Sequence, residues 1–219
     1  ARMTDGNCEI MMAVKSGRAI RFPENKVRST GRGGIGVFGI EVDEKTDEVI
    51  GMITVSKEDK TRTVLVVSEN GYGKRTFLDD PETGEANYRV TNRGGKGVKT
   101  INVTEKTGQL AGLLDVTENQ DLMITCVSGI TIRMAVNKIS EQSRATQGVK
   151  LIRVDEGDKI AAITSIDEQE EEIEGIVEGE ETAALNADET VVDKIPEDIE
   201  KLENDIEKDG TEEEKGEDE

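Results

Sequence analysis

From Glu9 to Ile166 apolar and polar side chains alternate in short runs, each broken by Gly, Asn, Asp or Ser before a helix of ordinary length could form. Period-two alternation rich in Val, Ile and Thr marks strands with one buried face. Twelve strands are predicted on that basis. The first four are Glu9–Val14, Arg18–Phe22, Gly36–Val42 and Val49–Val55. The next four are Arg62–Ser68, Gly73–Phe77, Gly97–Val103 and Leu110–Val116. The last four are Asp121–Val127, Thr131–Ala135, Gly148–Val154 and Ile160–Ile166. The first hairpin of each group turns on Ser-Gly or Asn-Gly, at Gly17, Gly71 and Gly129, a tight-turn signal.

The groups are copies of one another. VKSGRAIRF (14–22), SENGYGKRT (68–76) and CVSGITIRM (126–134) align on the hairpin glycine. Downstream, GRGGIGVFGIEV (31–42), NRGGKGVKTINV (92–103) and SRATQGVKLIRV (143–154) align, so that Arg32, Arg93 and Arg144 correspond, as do Gly36, Gly97 and Gly148. EVIGMITV (48–55), QLAGLLDV (109–116) and KIAAITSI (159–166) close each unit. The equivalent glycines stand 61 and 51 residues apart, a spacing that signals a repeat architecture. The expected fold class is all-β and propeller-type: three four-stranded blades over about 5–55, 62–116 and 121–166, within a body spanning 1–166. Propellers close with roughly 4–8 blades. Three are therefore read as part of a ring, with further blades expected upstream of Ala1, and the missing initiator Met agrees with a piece of a longer protein. Beyond Asp167 the strand pattern stops. The stretch 167–219 is expected to be a largely disordered acidic tail, with a short helix possible at 196–208, where Ile199, Leu202 and Ile206 follow Pro196 at helical spacing.

Composition changes the picture in one respect. The net charge is −20, yet residues 167–219 hold 25 Asp and Glu against 4 Lys, which leaves the body with 23 acids and 24 bases. The body is nearly neutral, and the overall acidity says nothing about what it binds. There is no His, and Cys8 and Cys126 lie far apart in apolar runs, so they read as buried free thiols and no metal site is expected. No apolar run approaches ~18 residues, and nothing at the N-terminus reads as a signal peptide, which favours a cytoplasmic setting. GRGGIG (31–36) satisfies the spacing of a dinucleotide fingerprint, but a strand follows it where a helix is needed. The body shows no carboxylate pair placed for acid–base catalysis, and no activating neighbourhood for Tyr72 or Tyr88 as a nucleophile. No catalytic residue is assigned.

The bases are segregated by position within the repeat. Between Lys15 and Gly36 stand Lys15, Arg18, Arg21, Lys26, Arg28 and Arg32 against one acid, Glu24. Between Gly129 and Arg153 stand Arg133, Lys138, Arg144, Lys150 and Arg153 against Glu141, and between Tyr72 and Lys99 six bases stand against Asp79, Asp80, Glu82 and Glu85. Glu41 to Glu69 is the reverse, with eight acids and four bases. A charge run is ordinarily a solvated face. Recurrence at matching places in three units points instead to a basic rim that would bind duplex through its phosphates. Few aromatics are available for base stacking: Phe22, Phe38, Tyr72, Phe77 and Tyr88. The candidate DNA-binding residues are Arg18, Arg21, Arg28, Arg32, Lys74, Arg75, Arg89, Arg93, Lys96, Lys99, Arg133, Arg144 and Lys150. A propeller that scaffolds protein partners is the alternative from these residues alone.

The strings ENGYGKRT (69–76), RGGKGVKTINVTEKTG (93–108), DLMITCVSGITIRMAVNKIS (121–140) and SRATQGVKLIRV (143–154) resemble, in order, the C-terminal domain of the DNA gyrase A subunit, over about residues 5–166. The related domain of the topoisomerase IV A subunit is the family alternative. The resemblance implies the last three blades of a six-bladed β-pinwheel, in which a strand of one blade completes its neighbour. It implies double-stranded DNA as the ligand, wrapped around a basic perimeter in support of ATP-dependent negative supercoiling. It also implies the rest of the gyrase A subunit and the gyrase B subunit as partners in an A2B2 holoenzyme, a cytoplasmic, nucleoid-associated setting, and ATP and Mg2+ bound elsewhere, with no cofactor in this segment. The family's hallmark box is Gln-Arg-Arg-Gly-Gly-Lys-Gly. Arg93 to Gly97 matches its last five places, with Thr91 and Asn92 in place of Gln and Arg, and Arg32 to Gly36 matches four. A tail of net −21 is expected to compete with DNA for the rim.

Overall fold

Strand β4 (Thr63–Ser68, TVLVVS) explains the layering, because all six of its residues are buried. Val64 and Val66 face one hydrophobic core, and Leu65 and Val67 face another. A strand without a polar face must be covered on both sides, and β4 belongs to the middle one of three antiparallel sheets. The computed structural model describes residues 1–56, 58–59 and 61–167, so the acidic tail and the helix expected at 196–208 lie outside the described residues.

The first sheet runs β3 (Val49–Ser56), β1 (Cys8–Val14), β2 (Arg18–Pro23) and β6 (Val98–Lys99). The second runs β10 (Val149–Lys150), β5 (Tyr72–Phe77), β4 and β7 (Leu110–Val116). The third runs β11 (Ile160–Asp167), β8 (Gln120–Cys126) and β9 (Thr131–Ala135), and it has three strands among the described residues, not the expected four. Met11, Ala13, Ile53 and Val55 of the first sheet share a core with Val64, Val66, Leu110 and Leu113 of the second. Leu65, Val67 and Val116 share the other with Leu122, Ile124 and Ile160 of the third. Period-two alternation thus gives β1 and β4 two working faces, and each core belongs to two sheets.

The segments after the basic loops depart from expectation. Gly97–Val103 and Gly148–Val154 form strands of only two residues, and Gly36–Val42 forms none. These short strands also pair outside their own unit. In β6, Lys99 and Val98 lie opposite Arg18 and Ala19 of the preceding unit; in β10, Lys150 and Val149 lie opposite Tyr72 and Gly73. Pairing stops early because the chain turns about a single carbonyl. Thr100 and Ile101 both donate to Gly17 O, at 2.9 and 3.4 Å, and Leu151 and Ile152 both donate to Gly71 O, at 2.8 and 3.4 Å. Residues 36–42 lack such a partner among the described residues.

Two glycines permit this close approach. Gly97 and Gly148 have φ of +69° and +79°, and a Cβ on either would collide with the backbone carbonyl of Ala19 or Gly73. Two short 3₁₀ turns, Glu24–Lys26 and Val136–Lys138, precede the connecting segments and were not anticipated. No helix among the described residues is long and apolar enough to cross a membrane. Cys126 is buried, whereas Cys8, expected to be buried, is only partly so, with its Sγ 3.3 Å from Asp5 Oδ1.

Replacing Gly97 by Ala is expected to destabilise the chain by about 1–3 kcal/mol, through left-handed strain and the carbonyl clash. Gly36→Ala serves as the control, since a Cβ there meets nothing within 4 Å. Urea midpoints measured on both variants check the contrast, and an equal response at the two positions would contradict it.

Candidate nucleic-acid interface

Three connecting segments, 24–42, 89–103 and 140–154, lie side by side. Gly94 donates its N–H to Gly39 O at 2.7 Å, and Glu41 donates to Gly95 O at 3.0 Å. Arg93 fastens the same contact, with Nε 2.9 Å from Lys26 O and Nη1 3.2 Å from Phe38 O. The second and third segments meet in the same way: Asn102 N–H donates to Thr146 O at 3.0 Å, and Arg144 Nη1 to Lys99 O at 3.2 Å. The repeat therefore places equivalent loops in one continuous row.

Arg28, Arg32, Arg89, Lys96, Lys99 and Lys150 are exposed along these segments, and Arg93 and Arg144 are half-buried. Arg18 is exposed opposite Lys99 in the first sheet, its Nη1 3.5 Å from Gly97 O. Among the described residues, Arg18, Arg28, Arg32, Arg89, Lys99 and Lys150 have no carboxylate at ion-pair distance, while Lys96 stands 3.9 Å from Glu41. A cavity of about 200 Å³ opens beside β2, lined by Arg89, Thr91, Asn92, Gly95, Lys96 and Gly97. Exposed cations without acidic partners, next to glycine backbone, suit an anionic chain passing over the surface.

Three candidates are corrected by their burial. Arg21 is 7 % exposed and pairs with Glu9 at 2.5 Å and Asp79 at 2.7 Å, while donating to Tyr88 O at 3.1 Å. Arg75 is also buried; its Nε donates to Ile139 O at 2.9 Å, and its guanidinium meets Glu118 and Glu141, each at 3.3 Å. Lys74 is fully buried and donates to Ser143 O at 2.6 Å and to Thr146 Oγ1 at 3.0 Å. These groups hold the next unit's segment onto the sheet and cannot reach a bound duplex. Lys74 and Arg75 are neighbours on β5 and point to opposite faces, and both are buried because β2 and β5 are covered on both sides, which alternation alone does not show. Arg133, the equivalent of Arg21 and Arg75, is exposed at the outer edge of the third sheet and pairs with Asp121 at 2.5 Å.

The candidate set left out other bases that lie close to the row. Lys106 stands with its Nζ 5.5 Å from the Tyr72 ring centre, and Lys150 approaches the same ring at 5.8 Å. Lys26 is exposed beside Arg93, and Arg153 is exposed beyond β10. Among the described residues no cluster of His, Cys, Asp or Glu is placed to hold a metal ion.

The strand exchange, the face-to-face sheets and the row of basic loops define a bladed all-β domain of the propeller class. A family model described as the DNA gyrase C-terminal domain, beta-propeller, matches residues 9–56, 62–80, 83–117 and 120–167, and the chain belongs to that family. It is 41 % identical over 171 residues to the DNA gyrase A subunit of Staphylococcus aureus, a match covering 78 % of this chain and 18 % of that protein. The chain thus spans less than a fifth of the curated relatives it matches. Among solved structures, a DNA gyrase A C-terminal domain superposes with TM-score 0.62 and 26 % identity, over 73 % of this chain and 50 % of that one. The C-terminal domain of a DNA topoisomerase IV superposes with TM-score 0.67 and 18 % identity, over 76 % and 49 %, a likeness of fold.

Burial, with a smaller contribution from the charge of Arg144, brings Lys74 down to about 8. The folded chain therefore holds this proton less tightly than the unfolded chain does. Stability contributed by this group is complete above the ordinary lysine value of 10.5 and is lost as pH falls from there through about 8. NMR titration of the Lys74 side chain should show the low midpoint, and Lys74→Met should remove that slope from the stability–pH curve. Arg21→Met is expected to cost about 3–5 kcal/mol, because it strands the buried Glu9 carboxylate. Urea unfolding checks the second value.

Proposed function

We propose that this chain is a DNA-binding and DNA-wrapping region of a DNA gyrase A subunit. In this reading it bends double-stranded DNA across the basic row and so supports ATP-dependent negative supercoiling by an A2B2 holoenzyme. The chain supplies the surface and no catalytic group; strand cleavage and the sites for ATP and Mg2+ belong to other parts of that assembly. The setting is cytoplasmic, at the nucleoid. One observation carries the reading: three equivalent loops are hydrogen-bonded in a row, with exposed bases on them that lack acidic partners. The 41 % identity to a gyrase A subunit supports gyrase over topoisomerase IV, whose solved likeness is at 18 %.

Contacts to phosphate position a duplex without reading its sequence. Bending a few tens of base pairs costs on the order of 1–6 kcal/mol, so many contacts spread along a rigid curve are required. The contacting set is Arg18, Arg28, Arg32, Arg89, Arg93, Lys96, Lys99, Arg144 and Lys150, with Lys26 and Lys106 added from the structure. Arg93 and Arg144 have a double role, since each also ties one loop to its neighbour.

Replacing Arg28, Arg32, Lys99 and Lys150 together by Ala is expected to weaken binding alike on unrelated duplexes. The slope of log K against log salt should fall by about 0.9 for each lost phosphate contact. Fluorescence anisotropy across a salt series gives the measurement. A slope unchanged in this variant, or a shallow slope in the parent chain, would favour a protein-binding scaffold. Deleting 168–219 should tighten binding at low salt, and unchanged affinity would remove the tail as a competitor.

A further inference from the structure

Where the third loop crosses the second sheet, it is anchored on both sides of Lys74. Arg75 N–H donates to Ser140 O at 3.1 Å and Gln142 N–H to Arg75 O at 2.9 Å, while Val149 and Lys150 pair with Gly73 and Tyr72. Residues 143–147 span the gap between these anchors, and the Lys74 ammonium fills it. Its three protons meet three acceptors: Ser143 O at 2.6 Å, Thr146 Oγ1 at 3.0 Å and Thr146 O at 3.2 Å. Thr146 O also receives the N–H of Asn102, so one carbonyl ties β5, the third loop and the second loop together.

The crossing of the second loop over the first sheet is built without such a group. There Thr91 N–H donates to Arg21 O at 2.9 Å and Val98 pairs with Ala19, but the residue beneath the loop is Ile20, 3 % exposed. Gly95 takes the place of Thr146, and a Cβ on it would lie 3.6 Å from Ile20 Cδ1. An apolar side chain under a glycine thus suffices to seat a loop of this kind. Lys74 instead buries a cation whose hydrogen-bond partners are all neutral, and the charge that bears on it, Arg144, is of like sign. Burying an uncancelled charge is costly, and packing alone does not call for it. Of the other titratable groups nearby, Glu141 is taken by Arg75, and burial pushes the Tyr88 phenol up. What lies above the ammonium is the basic row: Arg144 is in this loop, with Nη1 3.2 Å from Lys99 O, and Lys150 emerges exposed just beyond it.

We propose that Lys74 is a positioning residue for DNA binding: out of reach of the duplex, it shapes the loop 143–147 that carries Arg144 and adds an uncancelled positive charge beneath it. The role presupposes that the row binds duplex, as the proposed function has it. Phosphates laid over Arg144 stabilise the ammonium below, so DNA binding and protonation of Lys74 favour one another. In the free chain Lys74 titrates at about 8, and with DNA bound its midpoint moves up. The coupling is therefore complete below about 8 and is lost as pH rises through the higher, bound midpoint.

Affinity of the whole 219-residue chain for a duplex, measured by fluorescence anisotropy at pH 7 and pH 9 and constant salt, tests the proposal. A rise of about one pH unit in the Lys74 midpoint gives about a fivefold fall in affinity between those conditions. Lys74→Met should bind at least about threefold more weakly than the parent at pH 7 and show no such fall. Lys74→Ile combined with Thr146→Gly copies the pairing of Ile20 with Gly95 and should respond in the same way, even though its loop is packed. Thermal melts verify that both variants stay folded. NMR titration of Lys74 in the parent, free and with duplex, needs no variant and should show the midpoint rise. An unchanged midpoint, a fall in affinity that persists in the variants, or variants that match the parent at pH 7 each overturn the proposal. A parent chain that fails to bind duplex overturns the DNA-binding reading itself, and this role with it.

Discussion

An outer strand in a sheet has to find partners for its free N–H and C=O groups, and here they come from the next repeat along the chain. Val98–Lys99 serves the first sheet and Val149–Lys150 the second, and both depend on a glycine pressed against a carbonyl. The other features follow from that exchange. The connecting segments are forced alongside one another. Tyr88 and Ile139, which precede them, are drawn into the cores. The arginines beneath, Arg21 and Arg75, are sealed over and can keep their charge only because carboxylates and backbone carbonyls surround them.

The same exchange sorts the cations by role. Those on a second strand covered on both faces become structural, as Lys74 and Arg75 show; those on the loops remain in water, as Arg28, Arg32 and Lys99 show. Loop bases lack acids nearby because the acids lie elsewhere in each repeat, in the Asp43–Glu48 turn and in the 79–85 loop, and above all beyond residue 167. A net charge of −20 and a cation-rich surface coexist without contradiction. Coulomb interactions across water are screened within about 10 Å at ordinary salt, so local arrangement outweighs the total.

Much of this was readable from residue order. Alternation located the two inner strands and the closing strand of each unit to within a residue or two, because burial of one face fixes every second side chain. Repeat alignment put Arg32, Arg93 and Arg144 in equivalent loops. Where the third strand of each unit pairs was not readable from alternation: GVKTINV and GVKLIRV alternate as strands do, yet only two residues of each find a partner, and that partner belongs to another unit. The division of bases into buried and exposed was hidden as well. Ile20 and Lys74 occupy the same place in the repeat, one apolar and one charged, and Lys74 is accommodated only because Ser143 and Thr146 supply acceptors from far along the chain. Local sequence carries no sign of a partner some seventy residues away.

Among the described residues each of the two larger hydrophobic cores is owned jointly by two sheets, so neighbouring repeats are joined by packed side chains. Tyr88 and Leu110 share one core with Met11 and Ile53 of the preceding unit. A polymer bent over the loops, as proposed, would push back with elastic recoil, and that load would pass through packed side chains instead of through a flexible tether. On that reading the row of loops would act as a stiff former, more like a pulley than a string of beads.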